Sequence, residues 1–348
     1  MTSISFSHSA ILKRAIEKRP YSDNKKDILP ARLIIPHLSR WNTVVTIGDS
    51  VNEGLWDSAD PNVDLTKYEN QESHWDGPVY GWADRLAGHL SYRRMQAGFE
   101  PVQYANLAIR GKLIEFIVDE ELPQALKLHP DLIIMDGGGN DILRPDDSVD
   151  SIMRYIEHGI KQVRESGCDL IFLIPPQATD GFVMDLSRYK RADYVARLQS
   201  MLLRYDCYAA DLWEYKPFKD PRLWSEDRIH PTPECHERAA QIGLIGLGLE
   251  CDPGWDHGEL WTTLPYIKAP LTSKVKTTLQ WDKNYLTPWL SHRYHNVSSG
   301  DGREGKRREL SPMPPSQPHP GSLILAGKYG EPDFNGPSDP QWLESKVE

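Results

Sequence analysis

Five short apolar runs, each separated from the next by a longer stretch of helical period, constrain this chain more than any other feature. The runs fall at 43–47, 104–108, 132–135, 170–174 and 208–212, and several are rich in β-branched residues. Each is too short for a buried helix, so each reads as a strand. Between them, apolar residues recur at helical spacing: Ile152, Ile156, Ile160 and Val163 share one face, as do Val195, Leu198 and Leu202, and Trp82, Leu86 and Leu90. Strand and helix in alternation predict a five-stranded parallel sheet covered on both faces, a three-layer α/β domain. Right-handed crossovers would set every strand's carboxyl end on one edge, where a site is expected.

That domain leaves much of the 348-residue chain unaccounted for. We divide the chain into a basic arm at 1–40, the α/β domain at 41–250, an extension at 251–310 and a Pro-rich tail at 311–348. The arm holds eight Lys or Arg against three Asp or Glu, and the tail holds eight of the 27 prolines without an apolar period. Trp255, Trp261, Trp281 and Trp289 are expected to anchor the extension against the domain. A net charge of −10 argues against a nucleic-acid surface, which needs a concentrated positive field. No run of 18 apolar residues offers a transmembrane helix. Cys168, Cys207, Cys235 and Cys251 form no Cys-x-x-Cys pair, and the first residues lack a secretory pattern, so the expected location is cytoplasmic.

The strand ends carry the chemistry. The first run ends in Gly48-Asp49-Ser50, the second in Asn106 followed by Arg110-Gly111, and the third in Gly137-Gly138-Gly139-Asn140-Asp141. After the fifth comes Asp227-Arg228-Ile229-His230-Pro231. Singly these are ordinary turns and caps. Gathered on one edge they meet the needs of acyl transfer. A serine hydroxyl is a poor nucleophile without a neighbouring base, and His230 can supply one to Ser50. Asp227, three residues before it, can hold the other ring nitrogen. Candidate oxyanion donors are the backbone N–H of Ser50, the N–H of Gly111 and the side-chain amide of Asn140.

The blocks Gly48-Asp49-Ser50-x-x-x-Gly54, Gly111, Gly138-x-Asn140-Asp141 and Asp227-x-x-His230 resemble, in order, those of the SGNH/GDSL hydrolase superfamily. The resemblance covers about residues 43–250, and Gly81-Trp-Ala-Asp-Arg-Leu and Ala105-Asn-Leu-Ala-Ile-Arg-Gly-Lys look like its bacterial, particularly actinobacterial, members. It implies a flavodoxin-like α/β/α fold and ester hydrolysis through an acyl-serine, without cofactor or metal. It implies the four signature roles for Ser50, Gly111, Asn140 and His230, with Asp227 completing a triad. The expected partner is a small-molecule, lipid or carbohydrate ester. The family includes esterases, deacetylases, thioesterases and acyltransferases, and fold does not choose among them.

Two other classes fit parts of the pattern. A metal-dependent phosphoesterase would use Asp49, Asn140, Asp141 and His230 as ligands, but two-metal sites need more His and carboxylates at close spacing. An inactive binding protein on the same fold would have no use for a nucleophile, a base and oxyanion donors together. The segment 56–80, with Trp56, Tyr68, Trp75 and Tyr80, reads either as a lid over the site or as an inert insertion. Gly243, Gly246 and Gly248 read as close helix–sheet packing, and Arg303, Lys306, Arg307 and Arg308 as a solvated basic loop.

Overall fold

The first strand, β1 (Thr43–Ile47), sits at the middle of a sheet that the rest of the domain builds outward. A short helix α1 (Ser50–Glu53) follows it directly, then α2 (Trp82–Gln96) and β2 (Gln103–Asn106). Next come α3 (Ile114–Phe116), a π-helical turn (Ile117–Glu121) and α4 (Leu122–Lys127), leading to β3 (Leu132–Met135). The short α5 (Gly139–Ile142) and long α6 (Val149–Glu165) precede β4 (Asp169–Ile174), and α7 (Arg188–Arg204) precedes β5 (Tyr208–Asp211). Helix α8 (Pro233–Gly246) and strand β6 (Arg307–Pro312) complete the order. The computed structural model describes residues 38–57, 79–144, 147–177, 187–213, 215–220, 223–225, 227–252, 255 and 298–316.

The sheet order is β5-β4-β3-β1-β2-β6, with β1 to β5 parallel. Strands β3 and β4 are buried at every residue, as their apolar runs require of strands covered on both faces. Alternation along β1 splits two cores: Val44 faces Trp82, Leu86 and Ile242, while Val45 and Ile47 face the side of Ile117, Ile156 and Val195. Thus α2 and α8 cover one face, and α6, α7 and the 114–127 helical run the other. The chain passes from β1 to β2 in one direction, then crosses back over β1 to β3. That reversal opens a crevice between the carboxyl ends of β1 and β3, where ligands bind in open α/β sheets.

The expected five-stranded sheet needs one correction. A sixth strand, β6, pairs antiparallel with β2, with a register shift between Tyr104 and Asn106. Its sequence, Arg-Arg-Glu-Leu-Ser-Pro, has no apolar alternation and is partly exposed throughout. Main-chain pairing at an edge carries no apolar signature for a sequence to display. Two of the four basic residues read as a solvated loop are likewise engaged: Lys306 Nζ bonds the Val79 carbonyl oxygen (3.0 Å) and Asp84 Oδ2 (2.7 Å), and the Arg307 guanidinium lies over the Tyr104 ring. Strand β6 runs across the boundary drawn at 310/311. Residues 1–37, 58–78 and 317–348, with Trp261, Trp281 and Trp289, lie outside the described residues, and so does most of the 56–80 lid segment. Its described ends meet, since the Tyr80 N–H donates to the Asp57 carbonyl oxygen at 2.9 Å. Trp255 is fully buried. Among the described residues, no helix is long and apolar enough to cross a membrane.

Candidate active site

The turn after β1 is held from below by acids. The Gly48 N–H donates to Glu121 of the π turn at 2.7 Å, and the Asp49 N–H donates to Asp136 Oδ1 at 2.8 Å. Gly48 adopts φ +144°, and a Cβ there would stand 1.7 Å from Asp136 Oδ1, so no side chain fits. Asp49 caps α1 by accepting the Val51 N–H at 3.1 Å. Ser50 is therefore the first residue of a helix, a position whose N–H has no intrahelical acceptor. Burial, together with the neighbouring Asp49 charge, pushes the Asp136 carboxyl well above its ordinary range. Burial raises the Asp49 carboxyl as well.

His230 comes from the loop before α8, whose start is fixed by Thr232, accepting the Cys235 N–H, and by Pro233 at the first turn. Asp227 folds back on this loop: its Oδ1 accepts the N–H groups of Ile229 (2.9 Å) and His230 (3.0 Å). Its Oδ2 lies 2.5 Å from His230 Nδ1, and His230 Nε2 lies 2.8 Å from Ser50 Oγ. Burial acts to raise the Asp227 carboxyl, but the adjacent His230 charge and the hydrogen bonds from His230 and Ser225 hold it below its ordinary value. An ionised carboxylate only accepts, so Nδ1 carries the ring proton and Nε2 presents its lone pair to the serine hydroxyl. The three expected residues are thus gathered, all buried, in one hydrogen-bonded line.

The expected oxyanion donors lie around this line with differing engagements. Gly111, at φ +72°, follows Arg110, whose N–H donates to Glu53 Oε2 at 2.7 Å and whose guanidinium pairs with the same carboxylate. Asn140 directs its Nδ2 to the Lys112 carbonyl oxygen (3.1 Å) and, at greater length, to Asp49 Oδ2 (3.3 Å). Asn106 braces the floor, donating to the Asn52 carbonyl oxygen at 2.9 Å, while Trp82 is a core residue whose Nε1 donates to Asn52 Oδ1 at 2.6 Å. Sequence reasoning assigned no role to Glu53, Arg110, Glu121 or Asp136. The available signal was an acid inside the first motif and an arginine inside the second, a pair that could neutralise each other once buried.

Asp141 has a separate task. Its carboxylate accepts the Ile114 N–H (3.1 and 3.3 Å), capping α3, which has no side-chain cap of its own. Burial raises it to about 6 despite the Ile114 N–H. A folded-state value above the unfolded one means stability present at low pH and lost as pH rises through 6. Asp141→Asn keeps the acceptor and removes that loss. Its Tm should match wild type near pH 4 and exceed it by about 3–6 °C at pH 8. A difference that does not change with pH would contradict this assignment.

Of the ligands considered for a metal centre, Asp49, Asp141 and His230 do not meet at coordination spacing among the described residues. His89, Glu237 and Asp252 do, with ligand atoms within 4.8 Å of one another. Their carboxylates are already taken: Arg85 pairs with Glu237, Arg93 with Asp252, and the Gln241 amide donates to both. Burial would raise Glu237, but hydrogen bonding and charge from His89, then the Arg85 charge, hold it at about 2. This is an ion-pair network joining α2, α8 and the segment after it. A cavity of about 260 Å³ lined by Arg40, His129, Asp131 and Ser166 opens at the amino ends of the strands, the edge opposite Ser50.

Comparison with known proteins adds the family. Residues 46–238 match the model of the GDSL-like lipase/acylhydrolase family, more than half of the chain. No curated protein sequence matches the chain. Among solved structures, Axe2, an acetylxylan esterase from Geobacillus stearothermophilus, is 17% identical with a TM-score of 0.45, over 60% of this chain and 95% of that one. LAE5, an α/β hydrolase enzyme from the metagenome of Lake Arreo, Spain, is 20% identical with a TM-score of 0.45 over the same shares. The family match runs from the end of β1 into α8, taking in β2 to β5 and the strand-end loops, and by it this chain belongs to the GDSL-like lipase/acylhydrolase family, the hydrolases of carboxylic esters.

Proposed function

We propose that the chain is a serine esterase acting in two steps through an acyl-Ser50 intermediate. The observation that carries this reading is the line of contacts Asp227 Oδ2, His230 Nδ1, His230 Nε2 and Ser50 Oγ, at 2.5 and 2.8 Å. Nε2 takes the hydroxyl proton as Oγ attacks the ester carbonyl carbon. The carbonyl π bond opens, leaving a negative oxygen on a tetrahedral centre. Asp227, held ionised, stabilises the imidazolium formed beside it. The imidazolium then protonates the departing alkoxide, the carbonyl re-forms, and acyl-Ser50 remains. Water, deprotonated by Nε2, attacks in the second step and releases the acid.

The oxyanion is held by the Ser50 N–H at the start of α1, the Gly111 N–H and Asn140 Nδ2. One Asn140 N–H is fixed by Lys112. The other, on the longer contact to Asp49, is the one offered to the oxyanion as charge develops. The substrate is a small ester. Four cysteines without a disulfide fit a reducing compartment, and we read the enzyme as cytoplasmic. We read 41–250 as the catalytic unit, with 251–310 packed on it.

A fluorophosphonate probe tests the nucleophile. One adduct per chain should form on the peptide containing Ser50, and Ser50→Ala should abolish it. Labelling at another residue, or none in folded wild-type protein, would overturn the reading.

A further inference from the structure

Strand β6 and the residues before it lie outside the stretch that matches the family, yet they return to the candidate site. Gly300 and Gly305 bring this segment against the loop leaving β2. A Cβ at Gly300 would stand 2.0 Å from the Arg110 carbonyl oxygen, and one at Gly305 2.5 Å from Leu107 Cα. Such approach is possible only main chain to main chain. Ser298 Oγ then donates to the Gly111 carbonyl oxygen at 3.1 Å. Ser298 is itself fixed, its N–H donating to Asp301 Oδ2 at 2.9 Å and its Oγ accepting the Gly300 N–H at 3.2 Å. The other oxygen of Asp301 pairs with Lys112 Nζ at 3.0 Å. Lys112 is the residue whose carbonyl oxygen holds Asn140 Nδ2. Beyond, Lys306 Nζ bonds the Glu53 carbonyl oxygen, reaching the helix that begins at Ser50.

We propose that Ser298 and Asp301 are positioning residues for the oxyanion-binding loop, so that segment 298–306 is a working part of the active site; this rests on the acyl-serine reading above. Gly111 is the residue of that loop with the widest backbone freedom, and its N–H must point at the substrate. Glu53 fixes the peptide before Arg110, through the Arg110 N–H, and Ser298 fixes the peptide after Gly111, through the Gly111 carbonyl, so the Arg110–Gly111 peptide that carries the donor is held at both ends. Asp301 holds Lys112 by its side chain and thereby the carbonyl that orients Asn140. Removing these bonds leaves the nucleophile and base in place but lets the donors wander, and donor misplacement is felt in the transition state more than in substrate binding.

The test uses the full chain and a p-nitrophenyl ester, with kcat, KM, Tm and the rate of fluorophosphonate labelling measured for Ser50→Ala, Ser298→Ala, Ser298→Thr and Ser298→Ala/Asp301→Ala. Ser298→Ala should lower kcat about 5-fold and the double variant about 30-fold, with KM within about twofold and labelling slowed in parallel. Ser298→Thr, which keeps the hydroxyl, should recover most of the loss. Unchanged kcat in both alanine variants, a loss that threonine does not rescue, or a loss equal to the drop in folded fraction would overturn the proposal. Should the double variant not fold, Ser298→Ala alone, at a half-buried hydroxyl, decides. Wild-type hydrolysis that survives Ser50→Ala sinks the acyl-serine reading itself. Hydrolysis that needs Ser50 but ignores Ser298 and Asp301 sinks only the positioning role.

Discussion

His230→Ala should lower kcat by about 10⁴- to 10⁶-fold, and Asp227→Ala by about 10²- to 10⁴-fold. The order follows from what each group does. In the proposed mechanism His230 Nε2, 2.8 Å from Ser50 Oγ, takes and returns the proton, and among the described contacts of the hydroxyl no other base stands in its place. Asp227 is assigned no proton transfer in that mechanism. It fixes the ring by accepting from Nδ1 and favours the imidazolium electrostatically, so its loss leaves a base that spends part of its time in the wrong tautomer or orientation. Its carboxyl is held below the ordinary value. A His230→Ala enzyme retaining turnover within tenfold, or an Asp227→Ala enzyme the more damaged of the two, would contradict these roles.

The parts of this site that a sequence displays are those set by local spacing. An Asp three residues before a His, in a loop capped by Thr232 and Pro233, returns to its own histidine with little help from the rest of the fold. The Gly48-Asp49-Ser50 turn is legible for a similar reason, since the aspartate caps the helix that its own turn begins. Packing glycines are legible too: a Cβ at Gly246 would stand 2.1 Å from the Ala209 carbonyl oxygen on β5, the close helix–sheet approach expected of it.

What stays hidden depends on partners distant in sequence. Glu53 and Arg110 are 57 residues apart, and each alone is one of the chain's 90 Lys, Arg, Asp and Glu residues. The upward push on the Asp49 and Asp136 carboxyls arises only because both are buried together. Strand β6 has no apolar period because an edge strand is held by its backbone, and Lys306 before it and Arg307 within it find partners that only the folded chain supplies. Thr43–Ile47, by contrast, lies at the sheet's centre, where burial on both faces imposes an apolar run that can be read directly.

An effect as large as that of His230→Ala is expected at the proposed nucleophile. Hydrolysis of p-nitrophenyl acetate and longer acyl esters by the wild type and by Ser50→Ala, each with and without a chelator, is the most direct test. The account predicts wild-type turnover indifferent to the chelator and a loss of about 10⁴-fold or more in Ser50→Ala, whose remaining contacts can bind an ester but cannot form the acyl-enzyme. Turnover that survives the loss of the Ser50 hydroxyl, or that disappears on chelation, would contradict it.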